Sequence, residues 1–266
     1  MTKVLNTSDF IGLKRYDKPT RCANIRYYDN DNFLKVTLAD DTYLERLISK
    51  KLPGHNVPWD YYSISNAIKI IISSPYNQFN DYKTAIIFKI LKGFKPLHEV
   101  DFHKKDFKNI LEMIRTVFYY NAMAVESGFI HSDYNPGNIL LDDNLNPIII
   151  DLDESIVDGY KCTTNYMTPN SVYLYGTKYL DGEKEVINCD KVTLLNMLLM
   201  ILLNGKDYCD ARINKTLVKR NIKMLKLPEE YERKYVDILA NQKIPDDGDF
   251  FVDDFDCLIK GGYHLK

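Results

Sequence analysis

Cysteine is scarce and never paired along the chain: Cys22, Cys162, Cys189, Cys209 and Cys257 are scattered, odd in number and form no C-x-x-C. That pattern argues against a disulfide framework and a structural zinc site, and suits a reducing cytosol. An excess of one charge is also missing. Lys+Arg of 35 against Asp+Glu of 37, a formal net charge of -2, gives no electrostatic reason to expect nucleic acid or an anionic membrane as the main partner. Long apolar runs are lacking as well. The opening MTKVLNTSDF has no apolar core of a secretion signal, and the most apolar run, 194–203, contains Asn196 and is too short to span a bilayer. A cytoplasmic chain that binds neither nucleic acid nor membrane is the expectation. Glycine is thin where it could matter most, since Gly12 alone precedes residue 50. Internal repeats and low-complexity linkers are absent. What is present is 45% hydrophobic and 12% aromatic content over 266 residues, too apolar for a disordered polypeptide and enough chain for one large domain or two modest lobes.

The first hundred residues read as short strands with one helix. Residues 24–28 and 33–38 look like successive strands across the turn-prone Asp29, Asn30, Asp31 and Asn32. Residues 42–52 have helical spacing, with Leu44, Leu47 and Ile48 on one face and Pro53-Gly54 as the stop. The β-branched runs 67–72 and 84–91, with turn-rich sequence at 73–82 between them, predict an antiparallel pair. After Gly93 the texture changes. Phe107, Ile110, Leu111, Ile114, Phe118, Ala122 and Val125 recur at helical spacing, and Gly128 supplies a C-terminal stop. Residues 139–141 and 148–150 are short apolar runs joined by Asp142, Asp143 and Asn144, a hairpin pattern. Residues 190–203 are apolar at nearly every position, as in a helix buried all round. The remainder is amphipathic and helical. The chain thus reads as α+β: one domain with a small antiparallel β-rich lobe over about 1–92 and a larger helical lobe over about 93–266. A cleft between lobes is where ligands usually sit.

The informative stretch is 129–155, FIHSDYNPGNILLDDNLNPIIIDLDES. It places His131, Asp133 and Asn138 in one loop and Asp151 directly after an apolar strand. A hairpin with a tight turn returns the chain from Asn138 to the same end at Asp151. Two oxygen ligands converging there suit Mg²⁺, a hard ion that takes few protein ligands and keeps its other positions for water and phosphate. Asp133 then stands where it can accept a proton from an incoming hydroxyl. That is the layout phosphoryl transfer needs.

The segment His131-Ser132-Asp133-Tyr134-Asn135-Pro136-Gly137-Asn138 resembles the catalytic loop H-R-D-x-x-x-x-N of the protein kinase superfamily, and Asp151-Leu152-Asp153 lies at the D-F-G position. The resemblance implies a two-lobed protein-kinase-like fold with ATP and Mg²⁺ in the cleft. It makes Asp133, Asn138 and Asp151 the catalytic set, with Asn138 and Asp151 as metal ligands. With weaker specificity, Asn32-Phe33-Leu34-Lys35-Val36 resembles the strand V-A-I-K. Lys35 would grip the phosphates, with Glu45 of the next helix as its partner, because a lysine interrupting an apolar strand needs its charge paired. Residues 88–93 resemble the strand leading into the hinge. Gly176-Thr177-Lys178-Tyr179 with Glu183 resembles the end of an activation segment, one residue short and without the proline. Asp190 resembles the aspartate that braces the catalytic loop, and it also reads as an N-terminal helix cap.

The departures are specific. No G-x-G-x-x-G precedes Lys35, and Ser132 replaces the arginine that in many members receives a phosphorylated activation loop. Asn135 stands where protein Ser/Thr kinases usually carry lysine, and the loop is also similar to the H-G-D-x-H-P-G-N of aminoglycoside and choline phosphotransferases. Asp153 at the glycine position resembles those small-molecule enzymes too, and would add a metal contact. The expected activity is transfer of the γ-phosphoryl group of Mg·ATP to a hydroxyl, with Ser/Thr of a protein as the preferred acceptor. A small-molecule alcohol is the alternative, and a pseudokinase binding module is a further one.

Overall fold

The computed structural model describes residues 3–16, 25–72, 83–153, 155–161, 183–204 and 215–264. The fold is mixed α+β, with a small antiparallel-rich sheet and several helices. Its contacts group the chain into two compact units: Met1–Lys51 with Asn56–Lys92 and Asp151–Asn165, and Leu52–His55 with Gly93–Ile150 and Tyr166–Lys266.

The first unit is built on a five-stranded sheet in the order β1-β4-β5-β3-β2, from β1 (Val4–Leu5), β2 (Ile25–Tyr27), β3 (Asn32–Thr37), β4 (Asp60–Ile64) and β5 (Thr84–Lys89). Within this sheet β1 and β4 pair in parallel, and the β2–β3, β3–β5 and β4–β5 pairs are antiparallel. The Asp29 carboxylate closes the turn into β3 by accepting from the Asp31 and Asn32 amides at 2.7 and 2.8 Å. Alternation along β3 sends Leu34 and Val36 into a core with Leu5, Phe10, Ile64, Ile68 and Ala85, and turns Lys35 and Thr37 to the other face. Helix α1 (Thr7–Gly12) brings Phe10 to that core. Helix α2 (Asp41–Ser49) is capped by Asp40, whose carboxylate accepts from the Tyr43 amide at 2.9 Å, and buries Tyr43, Leu44 and Leu47.

One element departs from expectation. The run 67–72, read above as a strand, lies in helix α3 (Asn66–Ile72), and the partner of β5 is β4. Asp60 to Ser63 take the ladder positions beside β5. The Ser65 hydroxyl then accepts the Ile68 amide at 3.4 Å, and Ile68 enters the core beside Phe10. Burial of Ile68 in that core overrides the β preference of the run. The stretch 73–82 falls outside the described residues.

In the second unit, α4 (Phe107–Glu126) starts at Asp106, whose side chain accepts from the Lys108 and Asn109 amides, and stops before Gly128 at φ +80°. Its buried stripe ends on Asn121 and Ala124, while Ala122 and Val125 are half-buried. Short strands β6 (Lys95–Pro96), β7 (Phe129–Ile130), β8 (Ile139–Leu141) and β9 (Pro147–Ile149) follow, with β6, β8 and β9 forming one antiparallel sheet. Helix α5 (Glu183–Asn204) begins seven positions before the expected start. Its stretch Val186–Leu203 has the length and composition of a membrane span, yet 89% of that stretch is buried inside the protein. Helices α6 (Lys215–Met224), α7 (Glu229–Leu239) and α8 (Val252–Lys260) follow. Phe118 of α4 packs between Phe251 and Phe255, each at 5.3 Å between ring centroids. In the first unit again, Ile156–Val157 and Tyr160–Lys161 form a small hairpin, β10 and β11.

Candidate functional site

The loop between β7 and β8 is held by its own side chains. His131 is buried against Tyr134, ring to ring at 4.4 Å and 21°. The Asp133 amide donates to His131 Nδ1 at 3.1 Å, so the ring proton sits on Nε2, which donates to the Ile150 carbonyl at 3.0 Å. Tyr134 is fully buried and donates its hydroxyl to Asn121 at 3.2 Å. Burial first, and the nearby Asp190 charge second, push that phenol well above its ordinary range.

At the centre of the loop, the Asn138 Nδ2 donates to both the Asp133 carbonyl and Asp133 Oδ2, each at 2.9 Å. Asn135 lies on the same carboxylate at 3.4 Å and accepts the Gly137 amide at 2.8 Å, which tightens the turn. Both of these Asn138 bonds use the nitrogen, so the amide oxygen is the end that a hard cation would take. Pairing of Ile139 with Ile149 extends by one rung, where the Ile150 amide donates to the Asn138 carbonyl at 2.9 Å. Asp151 is the next residue along the chain.

Behind the loop, Asp190 accepts the Ser132 amide at 2.9 Å. Asp190 lies inside α5 rather than at its start, so the capping role expected above does not apply. Burial raises its carboxyl to about 8; the Ser132 hydrogen bond opposes the rise and the Asp133 charge adds to it.

Lys35, Asp151 and Asp153 come together in the first unit. Lys35 Nζ donates to Asp151 Oδ1 and, at 2.7 Å, to Asp153 Oδ1. The second oxygen of Asp153 accepts the Thr37 hydroxyl at 2.6 Å. The intervening Leu152 is buried, and its carbonyl accepts the Tyr43 hydroxyl at 2.6 Å. Asp151 has φ +67°, a left-handed conformation uncommon for a non-glycine residue. Glu45, the expected partner of Lys35, is exposed and accepts from the Tyr61 hydroxyl at 3.3 Å. Lys35 is bonded to Asp151 and Asp153, while Glu45 lies on the face of α2 away from the buried Leu44 and Leu47.

Each unit offers a hard oxygen donor of the kind magnesium takes: the Asn138 amide oxygen in the second, and in the first the Asp151 carboxylate, whose side chain is 41% exposed. Asp153 fits that role less well, because both its oxygens are engaged by protein donors. Among the described residues no group of three or more His, Cys, Asp or Glu forms a separate metal cluster. The activation-segment resemblance at 176–179 falls outside the described residues, and of Glu183 only its place in α5 is described. Sequence reading missed the Thr37–Asp153 and Tyr134–Asn121 bonds. The signal for the first was a polar threonine two positions beyond Lys35 on the same strand face. Compared with protein-family models and with curated proteins, the chain matches none.

Proposed function

We propose that this chain is an ATP-dependent phosphotransferase with a two-lobed protein-kinase-like fold. It moves the γ-phosphoryl group of Mg·ATP to a hydroxyl, with Ser/Thr of a protein as the favoured acceptor and the cytoplasm as its setting. The observation that carries the reading is the lock between Asp133 and Asn138 at 2.9 Å, in a loop whose following hairpin returns directly to Asp151.

The roles follow from the chemistry of each group. Asp133, oriented by the Asn138 and Asn135 amides, takes the proton of the acceptor hydroxyl as its oxygen bonds to the γ-phosphorus and the bond to the ADP oxygen breaks. Asn138 and Asp151 present the oxygens for magnesium, which when bound supplies charge neutralisation at the phosphate oxygens. Lys35 offers its ammonium to the phosphates. His131, with its proton fixed on Nε2, ties the loop to Ile150 and leaves the proton transfer to Asp133. Positioning and electrostatics then account for the rate, with no covalent enzyme intermediate.

A second reading is favoured by one detail. The Asn135 amide is spent on Gly137 and Asp133, so this loop position carries no cation beside the base, which suits a small-molecule alcohol as acceptor. The test is incubation with γ-labelled ATP, Mg²⁺, generic protein substrates and, separately, amino-sugars and choline, with Asp133→Ala in parallel. Label on protein that the variant loses supports the first reading. Label only on low-molecular-weight acceptors moves the assignment to the second. Absence of transfer and of any thermal shift with Mg·ATP overturns both.

A further inference from the structure

We infer that Asp153 is the positioning residue for Lys35, the fixed carboxylate that holds the ammonium in place, whereas Asp151 is its exchangeable partner. The role of Lys35 at phosphate rests on the reading above; the pairing itself does not. Lys35 interrupts an apolar strand and its side chain is only 12% exposed, so its charge needs a counter-charge inside the protein. The two carboxylates that meet it differ in surroundings. The Asp153 side chain is 4% exposed and the Asp151 side chain 41%.

Asp153 is also fixed from a second direction. Its Oδ2 accepts the Thr37 hydroxyl at 2.6 Å, and Thr37 is itself buried on the same face of β3 as Lys35. Lys35 and Thr37, two apart on one strand, therefore grip the two oxygens of one buried carboxylate, a bidentate arrangement that sets its orientation. Asp151 has more solvent around it and sits on strained backbone, so it is the carboxylate that can trade the ammonium for a metal ion. Asp153, two positions after Asp151, has both of its oxygens committed to protein donors.

The experiment is acetylation of the intact protein by a small amine-acylating reagent at fixed pH, without nucleotide, with the rate at Lys35 followed by peptide mass spectrometry against exposed Lys92. Asp153→Asn should raise the Lys35 rate at least fivefold, and Thr37→Val, a milder change to the same clamp, about twofold. Glu45→Gln should leave it unchanged. Acceleration by Glu45→Gln without acceleration by Asp153→Asn would overturn the inference. Where ATP is turned over, Asp153→Asn should raise the KM for ATP several-fold while the Mg²⁺ concentration for half-maximal rate stays at the wild-type value. A large rise in that Mg²⁺ requirement would make Asp153 a metal ligand and also overturn the inference. If the wild-type protein handles no ATP at all, the phosphotransferase reading falls, and the acetylation pattern alone decides the pairing.

Discussion

The Ser132 amide donates to Asp190 across 58 positions of sequence, at 2.9 Å, and holds Ser132 in a left-handed conformation at φ +60°. A buried carboxylate in the middle of α5 thus sets the backbone one residue before Asp133. The proton acceptor of the proposed reaction is aimed by a helix far away in sequence.

Removing that acceptor should be costly. Asp190→Ala leaves the Ser132 amide without its partner and should lower stability by about 1–3 kcal/mol, with a fall in turnover of tenfold or more at unchanged KM. Chemical denaturation and steady-state kinetics read the two effects separately.

Asp190 also predicts a pH dependence. Its carboxyl is raised from an ordinary 3.8 to about 8, chiefly by burial. Below about pH 4 folded and unfolded chains both hold the proton, and the stabilising contribution is fully present. Between there and about 8 the unfolded chain releases it while the folded chain keeps it, so stability falls as pH rises, by at most about 1.4 kcal/mol per pH unit. Asp190→Asn should remove that slope in denaturation curves measured from pH 5 to 8.

His55 predicts the opposite sign at acid pH. Its ring packs against Phe129 at 5.6 Å, Nδ1 lies 2.7 Å from the Pro53 carbonyl, and Nε2 is buried with no hydrogen-bond partner among the described residues. Burial lowers its pKa from 6.5 to about 3. The contribution is present above pH 6.5 and is lost as pH falls towards 3, because only the unfolded chain takes up the proton. By pH 4.5 the loss should reach about 2–3 kcal/mol. In His55→Leu that share of the acid destabilisation should disappear.

Lys191 is a buried cation with backbone partners. Its ammonium donates to the Asp246 and Asp247 carbonyls at 3.0 and 2.9 Å and lies 4.3 Å from the Phe250 ring centroid. Lys191→Met keeps the stem and strips those carbonyls of their donor, so the urea midpoint should fall by the equivalent of about 1–3 kcal/mol.

How far the sequence could be read varies with the distance over which each feature is decided. The 131–138 loop was legible because its residues resemble a known motif, although the bonds that brace it from Ser132, His131 and Tyr134 reach 58, 19 and 13 positions along the chain, and the 139–149 hairpin was legible because its turn chemistry is local. The long stripe of α4 was legible from its period. Residues 67–72 were misread because a β-branched run satisfies strand and buried helix alike, and the choice was made by a core that Phe10 and Leu5 complete. Asp153 was missed as a partner of Lys35 for a similar reason. Glu45 is near in sequence, whereas Asp153 lies 118 positions away and is brought in by the fold.

The phosphotransferase proposal requires that Asn138 and Asp151 each supply an oxygen to a divalent cation in the presence of nucleotide. Titration of Mn²⁺ with ATP by electron paramagnetic resonance tests it directly on the wild-type protein, Asn138→Ala and Asp151→Asn. One nucleotide-dependent Mn²⁺ site, weakened at least tenfold in each variant, is the predicted result. A site that both variants retain at wild-type affinity, or no nucleotide-dependent site in the wild-type protein, would contradict the account.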